Sequence, residues 1–545
     1  MEVGFMKKMK KAAALMMAIA MACGALAGCG GSQSAKTADS AANQTTVSTE
    51  GQTEGTQEAE NGRHINVAFF WITSDLDPAN NYNGWVLSRL GVGESLVKLN
   101  DELKVEACLA DSWENVDETT WKFHIREGVT FSNGKAVDAE AAKASIERAI
   151  SMNDRAAEYL KIDSMEANGQ DLTIKTTEAN AALLNNLVEP VFDVIDTTES
   201  EENIQTAPVC TGPYVVSGFT PEQTVTLAAN PTYWDGTAGL DTITVTQIAD
   251  ADARAMAIQS GEIDLTNTID NTSVTLFTDN EAYNVSSIIS PRVNVAYMNQ
   301  AETSPLHDLK LRKAVSYAVN RDAYADLIGG SAAHSAYSDS TPFGNDTITA
   351  YTYDEAKAAE ILDNAGYKDV NNDGYREMPD GSELVLNYLQ AADHGSADSA
   401  ILATAVQSDL KNVGIHMEIL SVENLSDYQT QGNFDLYTAN DNSAPTGDPQ
   451  IWLETMYTGL GTSGKKNLTG FQDDKIDEIV RKMSETFKTE DRYALAAEAS
   501  QVLNDDAANL FLTNSYLNMV SAAKVKNAKQ PVADYYFITK DITVE

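Results

Sequence analysis

Four cysteines and six histidines are the side chains best able to do covalent or metal chemistry, and spacing gives a task to only one of them. Cys29 follows Leu26-Ala27-Gly28. Small residues before a cysteine form the bacterial lipobox, where the thiol takes a diacylglyceryl group and the cysteine becomes the mature N-terminus. Cys23 lies upstream in the leader. Cys108 and Cys210 have no histidine or aspartate context that would make a nucleophile. Outside the cell they could form a disulfide, but spacing alone cannot bring their Cα atoms into range. The histidines stand singly, without the His/Cys or HxxxH spacing of a structural or catalytic metal site. His64 and His416 read as surface residues; His334 and His394 lie in loops from which a pocket could be reached. Asp369-x-Asn371-x-Asp373-Gly374 opens like a calcium loop, yet its twelfth position is Asp380 where a bidentate Glu belongs. A polar Asn-Asp-Gly turn is the simpler reading. No GxSxG elbow, HExxH or P-loop occurs, and nothing marks a particular pair among the 80 carboxylates. No enzyme, resident metal or cofactor is expected.

The elements that carry these residues begin with a leader. Lys7, Lys8, Lys10 and Lys11 precede an apolar run from Ala12 to Leu26, shorter than the roughly 20 residues that span a bilayer. Residues 1–28 therefore read as a secretory signal. From 29 to 62 the chain is Ser, Thr, Gln, Ala, Gly and Glu, with Val47 its one large apolar residue. Such a stretch cannot bury enough surface to offset the entropy of ordering it, so it reads as a tether. The body, 63–545, has no further run of membrane-spanning length. Its formal net charge, −42 for the whole chain, excludes nucleic acid as a partner. Trp121, Phe123 and Ile125 alternate with polar residues, as do Ile243 and Val245, which predicts half-buried strands. Helical spacing recurs at Leu311, Ala314, Val315, Ala318, at Leu402, Ala405, Val406, Leu410, Val413, and at Ile476, Ile479, Val480, Met483, Phe487. Strand-like runs flank the second of these, and the alternation predicts α/β layers with helices over sheets.

Several stretches resemble the bacterial solute-binding protein family 5, the oligopeptide-, dipeptide- and nickel-binding receptors of ABC importers. They are Gly93-Glu94-Ser95-Leu96-Val97; Thr120-Trp121-x-Phe123-x-Ile125-Arg126-x-Gly128-Val129; Thr211-Gly212-Pro213-Tyr214; Asn230-Pro231-x-Tyr233-Trp234; Ser260-Gly261-Glu262-Ile263-Asp264; Ala318-Val319-Asn320-Arg321; and Asp448-Pro449. The resemblance implies a two-lobed periplasmic-binding-protein-like fold of type II, in its large cluster, with an extra subdomain in the first lobe. Its expected parts are a first lobe of 63–104, 205–303 and 515–545, an inserted subdomain at 105–204, and a second lobe at 304–514. It implies a monomer, lipid-anchored at the outer face of the cytoplasmic membrane, that closes on a small ligand and hands it to an ABC permease with its ATPase subunits. The alternatives in another class are a ligand-sensing receptor or an enzyme.

On the ligand, the chain departs from the family patterns. Dipeptide receptors carry W-x-x-D-N-x-D-P, whose first Asp holds the peptide ammonium; Pro445 stands in that place here, and Asp441 with Asn442 could serve only if the loop shifts. The nickel branch's G-A-P-x-D-P is similar to Ser443-Ala444-Pro445 and Asp448-Pro449. Its metallophore-binding Arg falls on Asp193, and a second Arg-x-x-Trp pair finds Arg155 and Tyr159. Glu189 and Asp193 could accept an ammonium, or belong to a solvated acidic loop. Tyr82, Trp85 and Arg89 follow the first predicted strand, where open α/β sheets present ligands. Aromatic walls suit peptides, so a peptide is the expected ligand, with a metal chelate as the alternative.

Overall fold

The computed structural model describes residues 62–343, 348–392, 397–459 and 467–545. The leader, Cys29, the tether and His394 lie outside the described residues.

Two long antiparallel strands, Tyr283–Met298 and Asn509–Ala522, form the spine of the molecule. On one side, Leu265–Thr266, His64–Phe69, Thr242–Gln247, Thr224–Ala229 and Tyr214–Thr220 follow in order; on the other, Leu436–Asn442, Val385–Ala391 and His416–Val422. The first strand reads His-Ile-Asn-Val-Ala-Phe, and its Ile65 and Val67 join Val225, Leu227, Ile243 and Val245 in one apolar core. A separate core on the other side gathers Leu311, Val315, Leu402, Val406 and Leu410 from the helices Leu309–Ala318 and Ala397–Asn412, the faces predicted from their spacing. Each fully buried aliphatic side chain of this kind stabilises by about 1.5–3 kcal/mol relative to exposure.

The spine strands change core midway. Val285 and Val520 pack on the first side, whereas Val293, Val295, Tyr297 and Phe511 pack on the second. Between them the ladder loses register from Ile289 to Val293, across Ser290-Pro291-Arg292. Pro291 has no N–H to give a ladder, which is why the pairing with the neighbouring strand lapses there while the strand itself runs on. Ser290 Oγ donates to the Ser515 carbonyl at 3.1 Å and re-joins the two strands at that point. The packing thus changes core near residue 290 along one continuous strand.

Residues 110–176 build a sheet of their own, in the order Ala110–Asp117, Thr120–Ile125, Asp171–Thr176, Ile162–Asn168, all antiparallel. Trp121, Phe123 and Ile125 are buried in its core together with Ile146 of the covering helix Ala139–Met152. Asp138 starts that helix by accepting the Ala141 amide at 2.9 Å. Cys108 and Cys210 are both buried and free. The Asp369–Asp380 stretch is a turn closed on itself. Asp369 accepts the amides of Asn372 and Gly374 at 2.7 and 3.0 Å, and Asn372 takes a left-handed φ of 63°. Among the described residues, no helix is long and apolar enough to cross a membrane.

Candidate ligand-binding site

Where the spine strands change core, four elements face one another across a cavity of about 210 Å3. The first lobe contributes the helix Asn83–Arg89, and the inserted subdomain contributes the helix Asp154–Leu160. The second lobe contributes the end of Leu436–Asn442 and the helix Gln450–Tyr457. Tyr82, Trp85, Arg155, Tyr159, Glu189, Asp441 and Asn442 all line this cavity. A hollow of about 380 Å3 adjoins it and shares Tyr82, Arg155, Tyr159 and Thr455. Another, of about 310 Å3 around Glu94, Tyr233 and Tyr536, is lined by first-lobe and insertion segments alone, so closure of the lobes would not enclose it.

The walls are built from paired charges. Glu189 is 1 % exposed and accepts Trp85 Nε1 at 2.7 Å and the Val191 amide at 2.7 Å, with Arg155 Nη2 at 3.3 Å. Three donors already surround this carboxylate. The Arg155 guanidinium lies over the Tyr82 ring, 4.0 Å from its centroid, and Tyr82 meets Trp85 edge-on at 5.8 Å. Burial would lower the Arg155 pKa, but the Glu189 charge together with the smaller contributions of Tyr159, Tyr82 and Tyr535 outweighs it and raises the group above its ordinary value. Asp441 accepts the Tyr297 hydroxyl.

Arg89 and Asp193 sit behind this wall and do not line it. Arg89 is buried, 3.1 Å from Asp534 Oδ2 and packed between the rings of Trp85 and Phe537. Asp193 is buried under Gly93 and accepts the Ser88 hydroxyl at 2.8 Å; burial pushes its carboxyl well above the usual range. Its part is in joining helix Asn83–Arg89 to the crossover, because a buried carboxyl held by a hydroxyl has no path to the cavity.

Arg292 and Trp452, which the sequence reading did not single out, complete the lining. Arg292 stands where the strand pairing lapses and reaches Asp534 Oδ2 at 2.8 Å and the Asn440 carbonyl at 3.0 Å. Asp534 is shared between Arg292 and Arg89. Burial alone would raise its carboxyl, but the two guanidiniums hold it below its ordinary value. The signal for Arg292 was its place after a proline inside a long strand pattern; for Trp452 it was the first turn of the helix that follows Asp448-Pro449.

Among the described residues, three of those that line the cavity carry a buried polar nitrogen with no hydrogen-bond partner: Arg155 Nε, Asn442 Nδ2 and Trp452 Nε1. A buried donor left unpaired costs about 1–3 kcal/mol. Among the described residues no cluster of three or more His, Cys, Asp or Glu is placed to hold a metal ion.

Two lobes joined by a double crossing, with a polar and aromatic cavity between them, define a receptor that encloses a small solute. The family model for "Bacterial extracellular solute-binding proteins, family 5 Middle" matches residues 104–464, and the chain belongs to that family. It is the substrate-binding component of an ABC importer, a non-enzymatic part of transport. The nickel-binding protein NikA of Staphylococcus aureus is 25% identical over 489 residues, covering 89% of this chain and 95% of that one. NikA from Brucella suis, solved in complex with Fe(III)-EDTA, superposes with a TM-score of 0.79 at 26% identity, over 88% of this chain and all of that one. A nickel ABC transporter structure from Bacillus halodurans gives 0.73 at 30% identity, with 88% and 100% covered.

Proposed function

We propose that this is the lipid-anchored capture subunit of an ABC importer, and that its cargo is a compact metal chelate whose organic part carries carboxylates. The observation that carries this reading is the set of unpaired donors, Arg155 Nε, Asn442 Nδ2 and Trp452 Nε1, beside the Arg155 and Arg292 guanidiniums. Acceptor-rich anions suit such a lining, and guanidiniums pair with carboxylates in particular. A bare cation suits it poorly. The described lining has no histidine or cysteine, and its carboxylates Glu189 and Asp441 already hold donors. The sequence reading ranked a peptide first on the strength of the aromatic walls. We favour the opposite order, because Glu189, a candidate for holding an ammonium, already accepts Trp85 and pairs with Arg155. The relatives support the same order, two being nickel proteins by description and one having been solved with an iron chelate. A short peptide remains the second reading, favoured by the adjoining hollow, whose Asp154 and Glu158 would suit an ammonium.

Calorimetric titration with nickel in excess L-histidine, with nickel alone and with trialanine separates these. The chelate should bind one per chain and the other two weakly or not at all. Trp452→Phe should weaken the chelate about tenfold while the ligand-free protein melts no lower, since an unpaired buried donor has been removed. Tight binding of trialanine alone would refute the chelate, and unchanged chelate affinity in Trp452→Phe would refute the role of the donors.

A further inference from the structure

Lys161 occupies a position at which helices ordinarily take glycine. It ends the helix Asp154–Leu160 in a left-handed conformation, φ 48°, which a side chain disfavours. Its ammonium crosses from the inserted subdomain to the second lobe and meets Glu454 Oε1 at 2.9 Å. Glu454 is 7 % exposed in its side chain and Lys161 27 %, so the pair is largely shielded from solvent and salt. Gln450, one helical turn before Glu454, donates to Glu454 at 3.3 Å and to Ser484 Oγ at 2.8 Å, and the Ser484 carbonyl accepts the Ala181 amide of the insertion at 2.9 Å. Further along, Phe487 of the second lobe rests on Trp121 of the inserted sheet, with centroids 6.2 Å apart.

None of Lys161, Glu454 or Ser484 lines the cavity of about 210 Å3. Yet the two helices that carry this contact also carry the cavity walls. Arg155 and Tyr159 project from the helix that Lys161 ends, and Ile451, Trp452, Thr455 and Met456 share a helix with Glu454. Whatever holds Lys161 against Glu454 therefore fixes the spacing of the two ligand-facing walls.

We propose that Lys161 and Glu454 form a latch outside the ligand site that sets the closed fraction of the empty receptor, and through it the affinity for any cargo. Apparent affinity scales with the fraction of protein already competent to bind. A latch that raises this fraction tightens every ligand alike, and it does so by charges that touch none of them. Its action is the same for a chelate and a peptide.

The test needs no ligand. Small-angle X-ray scattering of the dialysed, ligand-free protein should match the lobe spacing described here, and Glu454→Lys should scatter as a more open molecule. The double reversal Lys161→Glu with Glu454→Lys should return toward the compact curve, and Glu454→Gln should fall between wild type and Glu454→Lys. Melting curves identify any variant that has failed to fold; Glu454→Gln, nearly isosteric, remains as the milder probe. With nickel in excess L-histidine as the titrant, the single reversal should raise Kd about tenfold through faster dissociation, and the double reversal should recover part of it. Identical scattering of wild type, Glu454→Lys and Glu454→Gln would overturn the latch. A double reversal as open as the single one would overturn it equally. Failure of the nickel titration alone, with the scattering series as described, would count against the chelate and leave the latch standing.

Discussion

Glu94 shows what the residues of the family motifs do. Its carboxylate accepts Thr211 Oγ1 at 2.8 Å, Tyr233 OH at 2.8 Å and Trp234 Nε1 at 2.9 Å, so three motifs far apart in the chain meet on one side chain. Burial raises its carboxyl, and the three donors work against that. Asp448 is likewise held in place by hydrogen bonds: Arg492 grips it at 2.6 and 2.8 Å, with both side chains buried. These residues hold the frame, and this is why the motifs name the family without naming the ligand. At Asp196, burial would raise the carboxyl, but hydrogen bonds from Lys135, Thr198 and Asn133 outweigh it and hold the group at about 2. A depressed folded value stabilises the protein above the unfolded value near 4, and that contribution is lost as pH falls from about 4 toward 2. Asp196→Asn should therefore lower stability at pH 7 by about 1–2 kcal/mol, discounted because Lys135 is half exposed. Its denaturation midpoint should also change less than the wild type's between pH 4 and 2. Parallel curves for the two proteins over that range would contradict this.

At the scale of elements, what the sequence made readable was whatever repeats locally. Ile476, Ile479, Val480 and Met483 are buried on one face of Asp474–Glu485, and Trp121, Phe123 and Ile125 on one face of their strand, because periods of 3.6 and 2 are written in neighbouring residues. Arg292 and Trp452 lie more than a hundred residues apart in the chain and meet only at the cavity, which no local period records. Phe487, which the helical spacing included, lies beyond the end of that helix at Glu485 and rests on Trp121 of the inserted sheet instead. Tight turns lie between these cases. The turn at Thr211-Gly212-Pro213-Tyr214 passes so near the Gly91–Val92 backbone that a Cβ on Gly212 would lie 2.5 Å from both carbonyl oxygens. Backbone cannot yield as a flexible side chain does, so Gly212→Ala should destabilise by about 1–3 kcal/mol. Thermal melting would show it, and an unchanged Tm would mean that this contact is looser than described.

The whole molecule is an enclosing device on a spine of two strands, with a cavity whose walls come from five separate stretches of chain. Ligand that touches both lobes favours the closed state by the contacts it makes only there. The proposed lipid anchor rests on the small residues that precede Cys29 in the sequence. Cys29→Ala should accordingly shift the protein from the membrane fraction to the medium, and unchanged partition would contradict the anchor. The most direct measurement is native mass spectrometry of the protein mixed with nickel and L-histidine, followed by denaturation and analysis of what is released. One chelate should ride on each chain and come off with its histidine chemically unaltered, and an Arg292→Gln variant should retain much less of it. A transformed small molecule in the released fraction, or equal loading of wild type and Arg292→Gln, would show that the cleft does not capture its solute in the way described.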